Sequence, residues 1–206
     1  MGRVTTQDGL SLHYDDAGSG APVLCLAGLT RNADDFQWLA PHLKDCRLIR
    51  MDYRGRGRSD HAPDPMSYSI AQEGHDALAL LDHLGLARAT LVGTSRGGLI
   101  AMTLAATAPQ RLAGVVLNDI GPELDPEGLT RIIDYVGRDP GFPDLEAGAR
   151  GLAEMYARDF PGVPLPRWRA QAAAMWSESP EGGLALRYDP RLREALIAGA
   201  GSGAAT

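Results

Sequence analysis

Residues 22–27, Pro-Val-Leu-Cys-Leu-Ala, form a nearly continuous apolar run, the pattern of a strand buried on both faces inside a parallel sheet. Runs at 47–53, 90–92 and 112–117 repeat the strand signal, and helix-forming stretches at about 33–43, 70–84 and 97–107 lie between them. Strands and helices that alternate in this way imply right-handed crossovers and a mostly parallel sheet flanked by helices, an α/β fold. Near the start, Asp8-Gly9 divides 3–6 from 10–15 as a short hairpin does, which brings the expected strands to about six. In the 70–84 helix Ser69 and Gln72 have capping-box spacing, and Gly85 stops it. Ile70, Ala77, Leu78, Leu81 and Leu84 recur on one face of that helix.

After Gly121-Pro122 the pattern changes, and helical periodicity interrupted by proline replaces the strands. Leu129, Ile132, Ile133 and Val136 form one helical face, Leu152, Met155 and Tyr156 a second, and Trp168, Ala172 and Trp176 a third. This divides the 206 residues into a core at 1–121, a helical cap at 122–197 and a small-residue, flexible tail at 198–206. With 20 basic and 26 acidic residues the net charge is −6, which argues against a nucleic-acid or anionic-membrane partner. Arg54, Arg56 and Arg58 are the one dense basic run, and in an acidic chain they read as a solvated loop. The first ten residues lack the apolar core of a signal peptide and no run approaches a membrane span, so the chain reads as cytoplasmic. Cys25 and Cys46 fall in strand patterns and read as buried thiols rather than a disulfide framework.

Gly93-Thr94-Ser95-Arg96-Gly97 stands between a strand and a helix, the setting of a nucleophile elbow. The turn there is sharp, so flanking glycines leave room for the backbone while the serine hydroxyl is pushed out above the sheet. In a glycine-rich chain the five-residue pattern arises by chance on the order of 0.1 times, so its context must carry the reading. Two other stretches accompany it in order: Leu26-Ala27-Gly28-Leu29-Thr30 after the third strand, and Asp52-Tyr53-Arg54-Gly55-Arg56-Gly57-Arg58-Ser59-Asp60 after the fourth. Together, over about residues 8–196, they resemble the α/β-hydrolase fold superfamily, in particular its capped serine esterase and peroxidase-like members.

The resemblance implies that Ser95 is the nucleophile and that the main-chain N–H groups of Leu29 and Arg96 form the oxyanion hole. Asp119, at the end of the sixth strand, has two readings, the triad acid or a cap for the first cap helix or the turn at Gly121-Pro122. The implied substrate is a small ester-like molecule with an apolar acyl group, roofed by Tyr135, Met155, Tyr156, Trp168, Met175 and Trp176. Those same side chains equally suit the cap's own core. No cofactor and no metal ion are implied. The superfamily's base is a histidine after the last strand, and none of His13, His42, His61, His75 and His83 matches it. Ala27 stands where the superfamily commonly has histidine. The last strands of the fold and the final helix are therefore expected to be missing, as in a fragment, with the sixth strand left as an open edge. The second functional class is a non-catalytic module of the same fold that binds a ligand or partner.

Overall fold

The structure, a computed structural model, describes residues 1–123 and 125–202. Six strands form one sheet: β1 (Gly2–Thr5), β2 (Ser11–Ala17), β3 (Ala21–Leu26), β4 (Cys46–Met51), β5 (Ala89–Thr94) and β6 (Leu112–Asn118). Their spatial order is β1-β2-β4-β3-β5-β6. β1 and β2 form the expected antiparallel hairpin, with Gly9 at φ 88°, and β2 also runs antiparallel to β4. The remaining pairs, β4 with β3, β3 with β5 and β5 with β6, are parallel. The apolar run of β3 lies at the centre, with Leu24, Cys25 and Leu26 wholly inaccessible. Burial pushes the Cys25 thiol up to about 12.

Helices α1 (Ile70–His83) and α2 (Arg96–Thr107) pack side by side and cover one face of this sheet. Ser69 caps α1 by accepting the Gln72 N–H at 3.2 Å. The inner face of α1 carries Ile70, Ala77, Leu80 and Leu81, and also the carboxylates of Glu73 and Asp76. The single helix expected at 33–43 is instead two 3₁₀ turns, Ala33–Gln37 and Ala40–His42. Pro41 accounts for the break, since it has no N–H to donate and its ring collides with the preceding turn.

Beyond β6 come α3 (Pro126–Tyr135), α4 (Leu145–Met155), α5 (Leu165–Met175), a small hairpin of β7 (Trp176–Glu178) with β8 (Leu184–Leu186), and α6 (Leu192–Ser202). A second apolar cluster of Ala149, Leu152, Trp168, Ala172, Trp176 and Leu184 holds α4, α5 and the hairpin together. The chain then returns to the main core, where Tyr188, Leu192, Ala195 and Leu196 are buried with Val136. Positions 198–202 are helical rather than an irregular tail, because α6 continues through them, and 203–206 lie outside the described residues.

β6 is the open edge that the sequence suggests. Val115, Val116 and Leu117 are 38%, 51% and 41% exposed, although they alternate between the two faces of the sheet.

Candidate active site

Ser95 sits alone between the last residue of β5 and the first of α2, at φ 50° and ψ −115°. A left-handed φ is uncommon for serine and marks a turn that the surroundings enforce. Close approach explains the glycines: a Cβ on Gly93 would lie 2.4 Å from the Gly97 carbonyl oxygen, and one on Gly97 would lie 2.0 Å from that of Leu26. Because α2 thus begins against the end of β3, the loop following β3 runs beside the serine. A Cβ placed on Gly28 would be 3.9 Å from the Ser95 Cβ. Arg96 is the first residue of α2, so its N–H has no acceptor within the helix, and the helix dipole favours negative charge at this end. Ser95, Arg96 and the 28–29 loop are therefore brought together. Among the described residues no hydrogen bond engages the Ser95 hydroxyl.

Asp119 follows β6 as Ser95 follows β5, and the residues before them, Asn118 and Thr94, are register partners. Asp119 also has positive φ, 54°, and is exposed with no hydrogen bond among the described residues. It does not cap the next helix: Asp125 does, accepting the N–H groups of Glu127 and Gly128 at 3.1 and 3.2 Å. An open cleft of about 790 Å³ is lined by Ala27, Phe36, Trp38, Leu39, Val92, Thr94, Val116, Asp119, Phe160 and Gln171, among others.

The arginine run is not a solvated loop. Arg54 and Arg56 are completely buried, and carboxylates on other elements account for it. Arg54 makes a bidentate contact to Asp76 at 2.6 and 2.7 Å and reaches Asp8 at 2.8 Å. Arg56 meets Glu73 at 2.6 Å, and the other Glu73 oxygen accepts the Arg96 Nε at 2.6 Å. Burial pushes the Glu73 carboxyl up, but the two guanidiniums outweigh it and hold it below the usual carboxylate range. Asp52 braces the loop from inside, accepting the N–H groups of Ala33 at 2.7 Å and Arg58 at 2.9 Å. Sequence reasoning missed Glu73 and Asp76, whose signal was two carboxylates one turn apart on a helix beside an unexplained basic run.

The histidines lie elsewhere. His13 is buried with its Nδ1 3.1 Å from Asp52, His83 meets the Tyr14 hydroxyl at 3.2 Å, and His61 is 3.7 Å from Asp189. His42 and His75 are exposed. Of the aromatic and methionine side chains expected as a roof, Trp168 and Trp176 are buried in the second cluster, Met175 packs against it, and Tyr156 stacks on Trp168. Tyr135 and Met155 are exposed.

Residues 21–158 match the family model described as alpha/beta hydrolase fold. The chain belongs to that family. Within the alpha/beta hydrolases it is similar to the 3-hydroxybutyrate-oligomer hydrolase of Cupriavidus necator, at 34% identity over 87% of this chain and 62% of the relative. It is 36% identical to a non-heme haloperoxidase of Rhodococcus erythropolis, over 90% of this chain and 70% of that one. A solved alpha/beta hydrolase structure from Novosphingobium aromaticivorans superposes with a TM-score of 0.85 at 43% identity, covering 92% of this chain and 68% of that one. The chain thus spans about three fifths of the length of the first curated relatives it matches. Among the described residues no helix is long and apolar enough to cross a membrane, and no three His, Cys, Asp or Glu side chains are placed to hold a metal ion.

Proposed function

We propose that this alpha/beta hydrolase is a serine hydrolase of carboxylic ester-like substrates, with Ser95 as nucleophile. The observation that carries this reading is the enforced left-handed turn at Ser95, beside the 28–29 loop and at the start of α2. Ser95 Oγ attacks the carbonyl carbon, its proton passes to a base, and the base returns that proton to the departing alkoxide so that an alcohol leaves the tetrahedral intermediate, giving an acyl-enzyme that water cleaves. The carbonyl oxygen becomes negative during attack, and the N–H groups of Leu29 and Arg96 receive it without reorganising. Asp119 is assigned as the acid. None of the five histidines is assigned as the base. The apolar acyl group is assigned to the cleft wall at Phe36, Trp38, Leu39 and Phe160, and the residues above it to a helical cap.

Treatment with a fluorophosphonate, followed by mass spectrometry, tests the assignment. In a verified full-length protein the adduct is expected on the peptide that contains Ser95 and is lost in Ser95→Ala; an unlabelled full-length protein, or a label that survives the substitution, overturns it. The unpartnered Ser95 hydroxyl favours a second reading, a non-catalytic module that binds small ligands in the cleft. Ligand-induced stabilisation of an unlabelled protein would support that alternative.

A further inference from the structure

Glu73 stands on α1, outside the loops that surround Ser95, yet it joins both of the proposed oxyanion donors. One carboxylate oxygen holds Arg56, whose Nε donates to the Leu29 carbonyl at 2.9 Å. The other holds Arg96 itself, whose Nη2 also donates to the Tyr68 carbonyl at 2.8 Å. Tyr53 adds a second tie to the loop after β3, its hydroxyl donating to the Ala27 carbonyl at 3.1 Å. Arg56 and Glu73 are wholly inaccessible and Arg96 is 4% exposed, so water does not compete for these bonds. We infer that Glu73 and Arg56 are positioning residues, a brace that fixes Leu29 relative to Arg96 and so sets the spacing of the two N–H groups. The inference rests on the assignment of Ser95 and its oxyanion donors above.

The arrangement suits that task better than simple cohesion of the core. Two cations share one anion, which leaves a net positive charge buried in a cluster bonded to the Leu29 carbonyl and to Arg96. A purely cohesive cluster would gain from an apolar replacement of similar volume, whereas a brace needs the directional donors that guanidinium supplies. The fork of Arg56 spans Glu73, Leu29 and Arg54 at once, its Nη1 reaching the Arg54 carbonyl at 2.7 Å. Lysine, a point charge, can keep the Glu73 pairing but not also the bond to Leu29.

Arg56→Lys is therefore the test, read by fluorophosphonate inactivation kinetics on Ser95. The first-order phosphonylation constant is expected to fall about 10-fold to 100-fold, as small misplacements of preorganised groups do, while the initial binding constant and the final labelled fraction stay unchanged. A merely structural role would lower the labelled fraction instead, and that result, or an unchanged rate constant, overturns the inference. Amide hydrogen exchange of residues 28–31 gives a second readout, expected to quicken in Arg56→Lys while exchange in β5 does not change. Arg96→Met, which retains the Glu73–Arg56 pair, should slow phosphonylation in the same way, and no slowing counts against the brace. If full-length wild-type protein takes no label, the nucleophile assignment falls and the positioning role with it. A labelled wild type with an unaltered Arg56→Lys rate removes only the positioning role.

Discussion

Glu73→Gln isolates charge from volume in the buried cluster, because glutamine nearly reproduces the shape and keeps a carbonyl acceptor. In the variant Arg56 and Arg96 would face each other without an anion, at 0% and 4% exposure. Their remaining bonds, to the carbonyls of Leu29, Arg54 and Tyr68, keep several donors satisfied, so the loss is mainly the missing attraction and the repulsion between two cations. Breaking a buried ion pair by removing one partner costs about 3–5 kcal/mol, and the retained carbonyls place this case at the lower end, about 3 kcal/mol. For a chain of this size that corresponds to a fall in melting temperature of about 6–12 °C. Urea unfolding followed by circular dichroism should show a lower midpoint with an unchanged slope. Adding Arg96→Met removes one stranded cation, so the double variant should be more stable than the sum of the single losses by about 1–2 kcal/mol. A loss of under about 1 kcal/mol in Glu73→Gln, the size of an exposed pair, or strict additivity in the double variant, would refute this account.

Gly97→Ala places a methyl group against the fixed Leu26 carbonyl and forces α2 away from β3, which should cost at least about 2 kcal/mol; an unchanged melting temperature would contradict the close approach. Bonds from Arg54 and then Thr6 hold the Asp8 carboxyl down to about 2. Its unfolded value is about 3.9, so its contribution to stability is complete above that pH and is lost as pH falls towards about 2. Asp8→Asn should flatten that limb of the stability curve, and an identical acid limb in both proteins would disprove the linkage.

Where the backbone alone dictates the residue, the sequence was legible. Continuous apolarity at 22–27 placed β3 in the sheet centre, and Gly93 and Gly97 announced a turn whose geometry tolerates nothing larger. Asp8-Gly9 marked the first hairpin for a similar reason. Side chains that depend on distant partners were not legible. Arg54 and Arg56 looked solvated because their burial depends on Asp8, Glu73 and Asp76, and nothing local to residues 52–60 announces those carboxylates. Pro41 argues against one helix over 33–43, and the chain there forms two 3₁₀ turns. The β7–β8 hairpin escaped notice because three residues per strand are too few to show a period. Asp119 and Asp125 are both residues that can cap a helix, and Asp125 takes the role by accepting the Glu127 and Gly128 N–H groups.

The loop that carries the arginines is closed from far along the chain. The Tyr68 hydroxyl donates to Asp189 at 2.5 Å across 121 residues, the Asp189 N–H donates to the Gly55 carbonyl, and the Gly57 N–H donates to the Arg187 carbonyl. During synthesis, β5 and the turn at Ser95 emerge well before these partners. At about 5–20 residues per second the interval between residues 95 and 189 lasts about 5–20 s. Such a gap is far longer than the time a short loop needs to close, about 10–100 ns. The turn at Ser95 thus leaves the ribosome before the latch on its neighbouring loop exists, and translation rather than chain diffusion sets when that latch can shut.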